Sequence, residues 1–255
     1  MDLVTLTADF GGHYAGIMTG VIKGRAPSAD VVGLSREVEP FGVKAGAFIL
    51  LCSYKYFPKG TIHVAVVDPG VGSSRKAIAI VTKNYIFVGP DNGVLSLAAE
   101  EDGVVGVYEI TNALPLYGKA CSTFHGRDIF APAAAHLANG GPIEKLGSRL
   151  MGFERATFAK SIGRESVSGE VLYIDRFGNL TISITEGDTE LGGAMVVTIG
   201  GKRFGARRVS TYAEGGEGLS VVLGSAGFYE LAVKEGSAEK VTGASVGEKI
   251  IIVRS

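Results

Sequence analysis

Hydrophobic positions along this chain fall into two textures. Up to about residue 164, short branched apolar runs alternate with longer stretches of helical character. Leu3 to Thr7, Asp30 to Leu34, Thr61 to Val67, Ala77 to Val81, Tyr85 to Val88 and Gly106 to Ile110 read as strands. Tyr14 to Ile22, Val43 to Tyr56, Val94 to Glu100 and Ile129 to Leu137 read as helices. This alternation predicts an α/β domain with a mostly parallel, covered sheet over residues 1–164. From about Ser166 the helical stretches stop. Gly169 to Tyr173, Leu180 to Ile184, Ala194 to Ile199, Leu219 to Leu223, Phe228 to Val233 and Lys249 to Val253 are short β-branched runs separated by glycine and polar turns. They predict a smaller all-β, barrel-like domain over residues 165–255.

Polar residues gather where these apolar runs break. Thr61 to Val67 stops abruptly at Asp68-Pro69-Gly70, with Gly72 and Arg75 just beyond. The carboxyl end of a strand followed by a glycine-rich turn is where α/β proteins hold ligands. Asp9 stands at the same kind of place, after Leu3 to Thr7 and before Phe10-Gly11-Gly12. Thr123, Phe124, His125, Gly126, Arg127 and Asp128 precede the fourth helix. In the second domain Asp175-Arg176-Phe177-Gly178-Asn179 combines a carboxylate, a ring and an amide, and Ser225-Ala226-Gly227-Phe228 is a weaker cluster of that kind. Each cluster has a plain reading as well: Asp and Asn cap helices and close turns without touching any ligand.

Composition narrows the function classes. Hydrophobic residues make up 46% and charged residues 20% of the 255, which suits a compact globular chain. The formal net charge of -1, with no basic run, gives no electrostatic support to a nucleic-acid or anionic-membrane partner. The N-terminal residues alternate like a strand rather than a secretory leader, and no apolar run reaches the ~18 residues of a membrane span, so a cytoplasmic protein is expected. The two cysteines, Cys52 and Cys121, match no metal-ligand spacing. No nucleophilic serine motif, phosphate-binding loop, dinucleotide fingerprint or metal cluster is present, so neither metal nor cofactor is expected. Asp9-Phe10-Gly11 matches a kinase triplet, but the companion kinase motifs are missing.

The ordered series TLTADFG, FPKGTIHVAVVDPGVGSSR, PDNG, STFHGRDIFAPAAAHL and DRFGNLTISI resembles the S-adenosylmethionine hydroxide adenosyltransferases, relatives of the fluorinase and chlorinase. The resemblance covers nearly the whole chain and is loosest at the C-terminal end. It implies hydrolysis of S-adenosyl-L-methionine, as substrate rather than cofactor, to adenosine and L-methionine. It also implies a homotrimer whose sites lie between the N-terminal domain of one subunit and the C-terminal domain of the next.

By resemblance, Asp68, Arg75 and His125 form the water-activating set. Asp68 and His125 would hold and polarise the water, and Arg75 would fix Asp68 through a charge-assisted pair. Asp9 matches the carboxylate for the ribose hydroxyls, Phe41 and Phe124 the aromatic walls, and Tyr14 the methionine end. Asp175 would hold the methionine ammonium, Phe177 would stack on adenine, Asn179 would hydrogen-bond it, and Ser225 would lie near the methionine carboxylate. The chain departs from the family in two places. The segment from Asp9 to Gly16 is two residues shorter than usual and lacks its second Asp, and Ala226 stands where halogenating members carry an Arg. The alternatives are a halide-dependent 5′-halogenase and a non-catalytic protein that binds adenosine or S-adenosylmethionine. Asp68 argues against the first, since halogenases carry a tyrosine there and a carboxylate repels a halide.

Overall fold

The computed structural model describes residues 3–35, 38–112 and 120–254, and the chain forms two compact units, residues 1–156 and 157–255. The expected change of texture at 164–165 falls inside the second unit. Ser161 and Ile162, which carry no strand signal of their own, pair with Ser168 and Val167 there.

In the first unit the elements are β1 (Leu3–Ala8), α1 (Gly12–Arg25), β2 (Asp30–Ser35), α2 (Val43–Ser53), β3 (Ile62–Val66), β4 (Ala77–Thr82), β5 (Ile86–Pro90), α3 (Ser96–Asp102), β6 (Val104–Glu109), α4 (Ala131–Ala138) and β7 (Arg149–Leu150). The strands make one sheet in the order β2-β1-β3-β5-β4-β6-β7. Three neighbouring pairs are parallel, β1 with β2, β1 with β3 and β3 with β5. The other three, β4 with β5, β4 with β6 and β6 with β7, are antiparallel. The sheet is therefore mixed, which corrects the expected mostly parallel sheet. Only the residues Lys83 to Tyr85 join β4 to β5, too few for the crossover that parallel neighbours need.

Helices cover both faces. Met18, Val21 and Ile22 of α1 and Ala131, Ala134 and Ala135 of α4 pack on Val4, Leu6, Ile62, Val64 and Val66. Ala45 and Leu50 of α2 and Ala98 and Ala99 of α3 pack on Ala65, Val67, Ile78, Ile80 and Phe87. Strand β3 is thus buried on both faces along its whole length, which is why its sequence reads as a continuous apolar run. No helix among the described residues is long and apolar enough to cross a membrane.

The second unit contains β8 (Ser161–Ile162), β9 (Ser166–Ile174), β10 (Leu180–Thr185), β11 (Ala194–Ile199), β12 (Lys202–Arg208), β13 (Leu219–Leu223), β14 (Phe228–Ala232), α5 (Ala238–Thr242) and β15 (Lys249–Arg254). Strands β9 and β10 pair with each other as well as with β15 and β14, closing a seven-stranded barrel in the order β9-β10-β14-β13-β12-β11-β15. Its interior is filled by Val171, Leu180, Ile182, Val197, Val221, Tyr229, Leu231, Ile250 and Ile252, all buried. Strand β12 has no counterpart among the expected strands, because KRFGARR is too polar and glycine-broken to show an apolar alternation. Its signal lies in the turn. Gly200 and Gly201 have φ of 56° and 75°, the two-residue geometry that joins β11 to β12 as a hairpin.

Candidate active site

Strands β1 and β3 are parallel neighbours with Ala8 opposite Val66, so Asp9 and Asp68 emerge at the same end of the sheet. Between them lies a cavity of about 260 Å³ lined by Asp9, Phe41, Asp68, Thr123, Phe124 and His125, among others. Three of the expected ligand-side residues, Asp9, Phe41 and Phe124, and two of the expected water-activating residues, Asp68 and His125, therefore share one wall with each other. Arg75 is not on that wall and sits behind it. Tyr14 is not on it either; its ring meets Phe124 edge-on at 5.1 Å and Phe10 at 6.0 Å, backing the aromatic wall.

Arg75 is the hub of the cluster. Its Nε donates to Asp68 Oδ1 at 2.9 Å and to Oδ2 at 3.1 Å, and Nη2 donates to Oδ2 as well. The same Nη2 donates to His125 Nδ1 at 2.7 Å, and Nη1 donates to the Lys76 carbonyl at 3.2 Å. The side chains of Asp68 and Arg75 are only 5% and 10% exposed, so the pair is poorly screened by water. The guanidinium also lies 5.4 Å from the centre of the buried Phe130 ring.

A guanidinium has donors only, so His125 Nδ1 must be the acceptor. His125 is therefore the neutral tautomer carrying its proton on Nε2. Burial and the adjacent Arg75 charge both push its pKa below the ordinary histidine value, in the same direction.

Local structure holds these groups in place. Gly72 passes so close to the loop before α4 that a Cβ there would sit 2.5 Å from the Ser122 carbonyl oxygen. Buried Asp128 accepts from Arg127 Nε at 2.7 Å, from Arg127 Nη2 at 2.8 Å and from the Cys121 amide at 2.8 Å, tying that loop down. The Arg127 bonds are the largest cause of its lowered pKa. Asn92, in the PDNG turn, donates from Nδ2 to the Val67 carbonyl at 2.8 Å, fixing the backbone next to Asp68. Asn92 and Phe130 were not candidates on sequence grounds. PDNG reads only as a turn, and Phe130 only as helix core.

Gly126 opens a five-residue π-helical turn, Gly126–Phe130, that leads into α4. A Cβ on it would lie 2.9 Å from Met18 Sδ and 3.0 Å from Phe124 Cε2. Gly126→Ala should therefore cost about 1–3 kcal/mol by overpacking, read as a lower thermal midpoint. An unchanged midpoint would show that the Phe124 wall is loose.

In the second unit, Asp175 Oδ1 accepts from the amides of Phe177 at 2.9 Å and Asn179 at 2.8 Å, while Oδ2 accepts from Asn179 Nδ2 at 2.9 Å. The plain reading of Asp175 as a turn-closing residue is thus satisfied by geometry. The turn leaves the Phe177 ring 78% exposed, a large aromatic surface held in water. Asp175, Phe177 and Asn179 line a cavity of about 710 Å³ with Tyr212, Ser237 and Lys240. Ser225 is not part of that lining. Tyr212 was also not expected; its hydroxyl donates to Glu230, and burial and that bond push its pKa above the usual tyrosine value. Among the described residues no group of three or more His, Cys, Asp or Glu side chains is placed to hold a metal ion.

The family model for the SAM hydroxide adenosyltransferase N-terminal domain matches residues 4–147, and that for the C-terminal domain matches residues 169–251. An (R)-S-adenosyl-L-methionine hydrolase of Thermus thermophilus is 39% identical over 257 residues, covering 97% of this chain and 98% of its own. A fluorinase of Actinoplanes is 27% identical, covering 84% of each. The crystal structure of an uncharacterized conserved protein from Thermotoga maritima superimposes with a TM-score of 0.89 at 39% identity, with 100% of both chains covered. With both domain models matched in order along the chain, the protein belongs to the SAM hydroxide adenosyltransferase family.

Proposed function

We propose that this enzyme hydrolyses S-adenosyl-L-methionine to adenosine and L-methionine, with Asp68, Arg75 and His125 activating the water. The observation that carries the reading is the single guanidinium joining Asp68 and His125 at the wall of the cavity. The sulfonium leaves as a neutral thioether when the bond from sulfur to the ribose 5′ carbon breaks, so departure needs no general acid. The work left to the protein is to place a water in line with that bond and take up its proton.

The tautomer of His125 divides these tasks. With Nδ1 already accepting from Arg75, His125 has no free acceptor, and it serves as an N–H donor that orients the water oxygen. Asp68 is the remaining acceptor and takes the proton, passing it later to solvent. Arg75 positions both and touches neither water nor substrate. Asp9 holds the ribose hydroxyls between the Phe41 and Phe124 walls, and Tyr14 supports the methionine end.

Asp175, Phe177, Asn179 and Ser225 receive the ammonium, the adenine face, the adenine edge and the methionine carboxylate. We place the two sets of residues on neighbouring subunits of a homotrimer, by family resemblance. A monomeric mass in solution would overturn that arrangement. Phe177, 78% exposed on its turn, offers a flat ring face on which adenine would stack.

The test is product analysis by liquid chromatography after incubating the protein with S-adenosylmethionine, with and without excess chloride. Equal adenosine and methionine in both conditions is the expected result. A 5′-halo-adenosine would establish the halogenase instead, and a retained, unreacted ligand would leave a binding protein. The carboxylate of Asp68 at the cavity wall disfavours a halide there.

A further inference from the structure

Phe41 is one of only two non-glycine residues with positive φ among the described residues, at 67°, and the other, Glu235, belongs to the second unit. A bulky side chain in that region is strained, and such strain persists only where the surroundings impose it. Here the turn imposes it. The Gly42 amide donates to the Glu39 carbonyl at 2.9 Å, closing a four-residue turn with Pro40 second and Phe41 third. A positive φ at the third position after a proline is ordinarily filled by glycine. The chain has its glycine one position too late, at Gly42, and forces Phe41 into the left-handed region.

What this conformation achieves is visible at Asp9. The Phe41 amide donates to Asp9 Oδ2 at 2.8 Å, a bond spanning 32 residues of sequence. The ring meanwhile stands 73% exposed and lines the same cavity as Asp9, Asp68 and His125. A turn with φ in the ordinary negative range would swing that amide away from the carboxylate.

We infer that Phe41 is a positioning residue acting through its main chain. Its strained amide pins one carboxylate oxygen of Asp9, so that the other is aimed at a vicinal diol and the site distinguishes ribose from 2′-deoxyribose. This inference rests on the reading that Asp9 holds the ribose hydroxyls. It separates two roles of one residue: the ring contributes affinity for any nucleoside, and the backbone sets sugar selectivity.

The test is calorimetric binding of adenosine and 2′-deoxyadenosine to the full-length protein and its variants. The wild type should prefer adenosine on the order of tenfold, the worth of a charge-assisted hydrogen bond. Asp9→Asn should bring that preference close to unity. Phe41→Gly and Phe41→Asn tolerate positive φ, so they should weaken both ligands equally and keep the preference. Phe41→Val and Phe41→Ala resist positive φ and should lose both affinity and preference, falling about fivefold or more toward Asp9→Asn. Two variants of each kind guard against a single one that fails to fold. Equal preferences in the valine, alanine and glycine variants would overturn the role of the main chain. A wild type without preference, or an Asp9→Asn variant that keeps it, would overturn the reading of Asp9 itself.

Discussion

Asp68→Ala should lower kcat for S-adenosylmethionine hydrolysis by about 10²–10⁴-fold, the contribution of a positioned proton acceptor. Arg75→Met should fall into the same range, because it releases both Asp68 and His125 from their shared donor. The double variant Asp68→Ala/Arg75→Met should be no slower than either single, since groups acting as a unit lose their effect once. Stability should behave in the opposite way. Arg75→Met leaves a carboxylate that is 5% exposed without its cation, a loss of about 3–5 kcal/mol for a buried pair broken on one side. Removing both charges should recover most of that. Thermal unfolding of the three variants beside their kcat values is the measurement. Rate losses that add up in the double variant would mean that Asp68 and Arg75 act independently, against the linked cluster. The His125 tautomer adds a milder expectation: His125→Gln, which keeps an acceptor and a donor, should retain more activity than His125→Ala.

The second large effect concerns acid stability and arises at His63, which no sequence motif singled out. His63 is fully buried on β3, 2.8 Å from Thr5 Oγ1 through Nδ1 and stacked on Phe87 at 5.2 Å. Tyr54, Phe57 and Tyr85 surround it, and its Nε2 has no hydrogen-bond partner. Burial lowers its pKa from 6.5 to about 4, against the opposing pull of the Asp102 charge. Below the ordinary histidine pKa the unfolded chain takes up a proton that the folded chain refuses. Stability is therefore full above pH 6.5 and declines as the pH falls toward 4, by about 3 kcal/mol in all. The double variant Thr5→Val/His63→Phe removes the titration and leaves no orphaned partner. Urea unfolding at several pH values between 7 and 4 should give it a shallower loss of stability than the wild type. Parallel losses in both proteins would remove His63 from the account.

Within this chain, the sequence alone settles most of the element order in the first unit, because branched apolar runs such as Thr61 to Val67 are long enough to admit one reading. It also determined that polar residues cluster at strand ends, at Asp9, Asp68 and Asp175, since turns must interrupt apolar runs there. Sheet direction was another matter. The apolar run of β4 looks the same whether its neighbour is parallel or antiparallel, and the three-residue link to β5 decided for antiparallel. Strand β12 was hidden because its partners supply the apolar surface that it lacks, leaving only Gly200-Gly201 as its mark.

The tertiary structure alone decided the chemistry of the cluster. Asp68 and Arg75 are near neighbours in sequence, but His125 is 50 residues from Arg75 and meets it only because α4 packs back on the sheet beside β3. Which nitrogen of His125 carries the proton follows from a donor placed 2.7 Å away, a fact of distance that no linear pattern records. The same holds for His63 and Phe41. Burial on a central strand and a dihedral angle forced by a turn are properties of the packed chain, and both turn unremarkable letters in the sequence into residues with a distinct physical role.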